Sequence, residues 1–83
     1  MAQQAVLKRQ DYRLLQEIGK NIAYYRKQLG LTQELLAEKM GISRAHLARV
    51  EAGLGAASLP MLSAISVALD IPLKALFDLQ EEE

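Results

Sequence analysis

Two short helical patterns separated by a single glycine corner constrain this chain more than anything else in it. They lie between Thr32 and Gly53. Thr32 fits an N-cap and Gly41 a helix terminator, then Ser43 fits a second N-cap and Gly53 a second terminator. Leu36, Ala37 and Met40 give the first helix one apolar face, while Leu47 and Val50 give the second a narrower one. The two helices must therefore meet across Gly41-Ile42, with the side opposite Leu47 and Val50 left to solvent. At about 100° per residue, Ala45, Ala48, Arg49 and Ala52 line that outer side, with Arg44 and His46 on its flanks. Small residues and two arginines on one helix face allow close approach to a macromolecule, and a DNA major groove admits such a helix.

The surrounding pattern is helical throughout. Leu15, Ile18, Ile22, Tyr25 and Leu29 recur at spacings of three and four, which predicts an amphipathic helix closed by Gly30. Leu31 is then expected to enter the core just ahead of the Thr32 cap. After Gly53, Ser58 caps a further helix with Pro60 in its first turn, and Leu59, Leu62, Ile65 and Leu69 form its core stripe. Beyond Ile71-Pro72 a last short helix, ending at Phe77, is expected to bury Leu73, Leu76 and Phe77. No strand pattern is evident.

The segment from Gly30-Leu31-Thr32-Gln33 through Ile42-Ser43-Arg44 to Val50-Glu51-Ala52-Gly53 resembles the helix-turn-helix of the phage-repressor-like (Cro/C1 or XRE) family of bacterial DNA-binding proteins. T-Q-x-x-L-A, the corner G-[apolar]-S and the closing E-x-G fall at the family's spacing, and the likeness runs from about Ile18 to Phe77. It implies an all-α, compact five-helix lambda-repressor-like domain over residues 17–79, preceded by an extension (1–16) and followed by an acidic tail (80–83). The extension, with Lys8 and Arg9, reads as a frayed arm or a helical continuation.

The resemblance also implies roles. Arg44, Ala45 and Arg49 would read bases, with Gln33, Ser43, His46 and Lys27 nearer the DNA backbone. The chemistry agrees: an arginine can donate two bonds to guanine O6 and N7, and an alanine methyl can meet a thymine methyl. Arg26 would pair with Glu51 and brace the first helix against the reading helix. Ser43 is first a cap. Family members commonly carry basic residues and a proline after the second motif helix. Leu54-Gly55-Ala56-Ala57 has neither, which implies fewer phosphate contacts and a shallower dependence on salt.

Charge distribution supports a polyanionic partner although the net charge is zero. Up to Leu54 nine basic residues face five acidic ones, and from Gly55 on one faces five. The positive pole carries the reading helix, an asymmetry that can orient approach to phosphate. Other chemistry is poorly provided for. The chain has no cysteine and a single histidine, His46, so a metal site or a nucleophile–base pair lacks its other members. No apolar run approaches a membrane span and no signal-peptide pattern opens the chain, so a soluble cytoplasmic protein without cofactor is expected.

One reading helix touches only a few base pairs, each good bidentate contact discriminating by about 1–3 kcal/mol, too little to select one genomic site. A two-fold dimer doubles the readout. Met61, Ala64, Val67, Leu73 and Leu76 form the expected interface, with a tight monomer core as the alternative use of the same residues. The reading is a regulator that binds double-stranded operator DNA as a homodimer. A protein-interaction module of the same fold, offering Leu35, Leu54, Met61 and Val67 to a protein partner, is the other. Phage-type repressor, restriction–modification controller, antitoxin and metabolic regulator all remain open.

Overall fold

A computed structural model describes residues 2–54 and 57–78, with side chains from residue 13 on. Four α-helices, α1 (Ala2–Gln28), α2 (Gln33–Met40), α3 (Arg44–Glu51) and α4 (Leu59–Leu69), are followed by a 3-10 helix, Leu73–Phe77. No strand occurs among the described residues. The five α-helices expected from the family pattern are thus four. The fifth segment is too short and too tightly wound: Ala75 N–H bonds the Pro72 carbonyl at 2.9 Å, three residues back. Asn21 on α1 then donates to the carbonyls of Leu76 (2.9 Å) and Asp78 (3.1 Å), removing acceptors that a longer helix would use. Positions 16 and 17, where an extension was expected to meet the domain, lie within one unbroken α1, so the backbone takes the helical alternative. The acidic tail lies outside the described residues.

Three hydroxyl caps start the shorter helices. Leu35 N–H bonds Thr32 Oγ1 at 3.0 Å, His46 N–H bonds Ser43 Oγ at 3.0 Å, and Met61 N–H bonds Ser58 Oγ at 3.2 Å. The corner between α2 and α3 turns on Gly41, whose φ of 74° lies in the left-handed region that favours glycine. Gly41 N–H bonds the Glu38 carbonyl and Ile42 N–H reaches back to Ala37, closing the last turn of α2 in a Schellman pattern.

The core gathers one or more side chains from every element: Ile18 and Ile22, Leu36 and Ala37, Leu47 and Val50, then Leu62, Ile65, Leu69 and Leu76. Tyr25, Leu31, Met40 and Ile42 pack against it half-buried. Four apolar residues depart from the expected stripe. Leu29 is exposed because the chain reverses there, its N–H turning back to Tyr25 and Arg26, and Leu31 makes the core contact instead. Leu59, 67% exposed, stands at the first position of α4 on the edge of a seam that runs through Leu62, Ile65, Ser66 and Leu69. Ser66 tolerates burial because its hydroxyl donates to the Ser63 carbonyl at 2.7 Å. In the 3-10 helix Leu76 alone is buried, while Leu73, at its exposed first position, and Phe77, turned about 120° from Leu76, remain about one-third exposed.

Candidate nucleic-acid interface

The geometry begins where α1 crosses the end of α3. Gly19 sits against the α3 backbone so closely that a Cβ would overlap the Glu51 carbonyl oxygen. One turn earlier, Gln16 packs on Gly53 in the turn that ends α3. With the backbones this near, Arg26 reaches Glu51 with two parallel bonds, Nε to Oε2 at 2.7 Å and Nη2 to Oε1 at 3.0 Å. Its remaining Nη1 donates to the Leu31 carbonyl at 2.8 Å. The two side chains retain only 10% and 6% of their exposure, and no buried side-chain polar atom among the described residues lacks a partner. Bidentate geometry and full satisfaction are the conditions under which a buried ion pair holds two elements in one register.

That pair removes the one acidic charge of α3 from the electrostatics of its outer face. Arg44, Ala45 and Arg49 are exposed there, Ala48 is half-buried and Ala52 exposed. Arg44 stands at the first position of α3 and Arg49 near its last turn, where its Nη2 makes a long 3.5 Å bond to the Leu54 carbonyl. Ser43 is exposed with its hydroxyl occupied by the cap, His46 is half-buried beside it, and Lys27 is exposed in the last turn of α1. Glu34, Leu35, Glu38 and Arg44 share a shallow hollow between α2 and α3. Among the described residues no group of three or more His, Cys, Asp or Glu is placed to hold a metal ion, and no helix is long and apolar enough to cross a membrane.

Gln33 occupies the space between the brace and the outer face. Its Nε2 donates to Glu51 Oε1 at 2.9 Å, and its Oε1 accepts from Arg44 Nη1 at 3.4 Å. Arg26, Glu51, Gln33 and Arg44 are therefore brought into one connected chain of side chains.

On α4, Val67 (76% exposed) and Ala64 are exposed and Met61 is half-buried, with Leu73 nearby in sequence on the 3-10 helix. Leu76 does not belong with them. It is fully buried in the core and offers no surface to a partner, although Leu73 lies one 3-10 turn before it on the same side. Lys8 and Arg9 lie where side chains are not described, and Gly55 and Ala56 lie outside the described residues.

Sequence reasoning missed Gly19, Asn21 and the link from Glu51 through Gln33 to Arg44. A glycine inside an otherwise amphipathic helix was the available sign of close backbone approach at position 19. Nothing in spacing alone marks Asn21 as the clamp on the C-terminal carbonyls.

Two capped helices joined by a glycine corner, the second held from behind and open in front, define a helix-turn-helix protein. A family model described as helix-turn-helix matches residues 22–76. The HTH-type transcriptional regulator SinR of Bacillus subtilis (strain 168) is 35% identical over 66 residues, covering 78% of this chain and 60% of that protein. SinR of Bacillus licheniformis is 33% identical over the same length and shares. The chain thus spans about three-fifths of the length of these relatives. The crystal structure of the restriction-modification controller protein C.AhdI from Aeromonas hydrophila superposes with a TM-score of 0.75 at 35% identity, covering 80% of this chain and all of that one. The chain belongs to the XRE-type, Cro/C1-like helix-turn-helix family of transcriptional regulators, a family of non-enzymatic proteins.

Proposed function

We propose that this chain is a sequence-specific DNA-binding regulator that grips a palindromic operator as a homodimer, with α3 of each copy in a major groove. The observation that carries the reading is the pair of exposed arginines, Arg44 and Arg49, on an alanine-lined helix face whose single carboxylate is neutralised from behind by Arg26. Ala45 and Ala48 keep that face low enough for base edges to come near. Arg44 and Arg49 take guanine, and Ala45 contacts a thymine methyl. Ser43, His46 and Lys27 would meet passing phosphates, and the backbone N–H groups opening α2 beside Gln33 would add a favourable dipole.

Homodimerisation follows from the need for two half-sites and from the apolar outer surface of α4. Met61, Ala64, Val67 and Leu73 are the proposed contacts, without Leu76. The name of the C.AhdI relative speaks of a restriction-modification controller and that of SinR of transcription. Both are roles that a small operator-binding dimer can fill.

Selection of bound duplexes from a random pool tests this reading, followed by gel-shift titration at low and moderate salt. A two-fold symmetric motif is expected. Recovery of no motif, with no binding to random duplex at low salt, would contradict it and favour the second reading. That reading is a protein-docking module using exposed Leu35, Leu54 and Val67, and the absence of any cation in Leu54-Gly55-Ala56-Ala57 is its support.

A further inference from the structure

The turn that ends α3 carries no cation of its own. Leu54-Gly55-Ala56-Ala57 is uncharged, and the last carbonyls of α3 present the negative end of its dipole there. Yet this turn borders the outer face: exposed Ala52 belongs to the stripe of Ala45, Ala48 and Arg49, and Gly53 follows it directly. Gly53 rests on α1, where a Cβ would come within 2.7 Å of the Gln16 Cα. Gln16 is itself exposed, and so are Arg13, three residues before it, and Lys20, four after. Spacings of three and four put all of them on one side of α1. Two cations, about 10 Å apart along the helix axis, therefore flank the place where α3 ends.

The one acid between them takes little from that charge. Glu17 Oε2 meets the Lys20 ammonium at a long 3.5 Å, with the Glu17 side chain 19% exposed against 73% for Lys20. A pair so open to water is weak, and a phosphate can take its place.

We propose that Arg13 and Lys20 form a phosphate-binding site on α1 that grips the DNA backbone alongside the C-terminal end of α3. The proposal rests on the reading of α3 as the base-contacting helix, since a major groove about 12 Å wide is walled by phosphates on both sides of the helix it admits. In that reading Ser43 and His46 serve the start of α3. Its end has only Arg49, which is assigned to a base, so the neighbouring helix supplies the cations. Such contacts release counterions and strengthen binding to every sequence alike.

The test compares wild type with Arg13→Gln, Lys20→Gln and the double variant on the selected operator and on random duplex at stepped salt. Lys39→Gln, which removes an exposed cation of α2 outside the site, is the control. The slope of log affinity against log salt should become shallower by about 1 in each single variant and about 2 in the double, equally on both duplexes. Discrimination between operator variants should stay within about twofold. Lys39→Gln should keep the wild-type slope, and so should Arg13→Lys, which preserves the charge. An unchanged slope in the double variant would overturn the proposal. An equal change in Lys39→Gln would too, because it would report net charge rather than contact. A second readout locates the site: the double variant should lose positions from the phosphate-ethylation interference pattern of wild type, and an identical pattern would also overturn it. An operator motif without a change in slope sinks this site alone. A change in slope on random duplex without any motif sinks the base-reading function alone.

Discussion

The two sides of this small bundle are built on different principles. Where α1 meets α3, the contact is polar and directional: Gly19 lets backbones touch, and Arg26 locks onto Glu51 with paired bonds. Where α4 faces outward, the surface is apolar and unpatterned, with Val67 and Leu59 largely exposed. Directional contacts specify one geometry, which a helix reading base edges requires. Apolar surface specifies burial but little orientation, which suits a seam completed by another copy of the chain. The α1–α3 side is finished within one chain, whereas on the proposed homodimer reading the α4 side is completed by a second copy.

The largest effect that can break this comparison lies in the brace. Arg26→Ala or Glu51→Ala leaves a buried charge without its partner and should cost about 3–5 kcal/mol of folding stability, read by chemical denaturation. A loss under about 1 kcal/mol would mean that the pair does not set the register of α3. Next comes Leu76, the fully buried residue of the 3-10 helix. Leu76→Ala should cost about 2–5 kcal/mol in stability while leaving dimer affinity intact when the folded fraction is compared by sedimentation.

Smaller changes sharpen the comparison. Arg44→Ala and Arg49→Ala should each remove about 1–3 kcal/mol of discrimination at one base step, measured by competition with single-position operator variants, and should barely move stability. Smallest in the monomer is Val67→Asp, expected within about 0.5 kcal/mol of wild-type stability because the position is on the surface. Its effect belongs to assembly: sedimentation equilibrium should show monomer where wild type shows dimer, and an unchanged dimer would place the interface elsewhere.

Local chemistry was legible from the sequence to the extent that it is local. Thr32, Ser43 and Ser58 cap because a hydroxyl before a helical run has backbone N–H groups within reach, and Gly41 turns the corner because few other residues adopt its backbone angle. Leu36, Leu47, Ile65 and Leu69 are core because their periodicity leaves one face apolar. What periodicity could not resolve were helix ends and edges. Leu59 and Leu29 satisfy the spacing but stand where the chain enters or leaves the packed region, and Ser66 is buried at a position the apolar count passes over. The final short helix lies where it was expected, and its 3-10 winding goes with bonds to its carbonyls from Asn21, more than fifty residues away in the chain. Of the proposed interface, the outward arginines followed from helical phase alone. The chain from Glu51 through Gln33 to Arg44 runs from α3 to α2 and back to α3, and is visible only once the two helices are assembled.

The most direct test of α3 as a reader of base edges replaces each guanine of the selected operator, one at a time, with 7-deazaguanine, which lacks the N7 acceptor in the major groove. Binding of wild type should weaken at one guanine per half-site for Arg44 and another for Arg49, with each sensitivity lost in the corresponding alanine variant. Equal binding to every substituted operator, or sensitivities unchanged in both variants, would contradict the account.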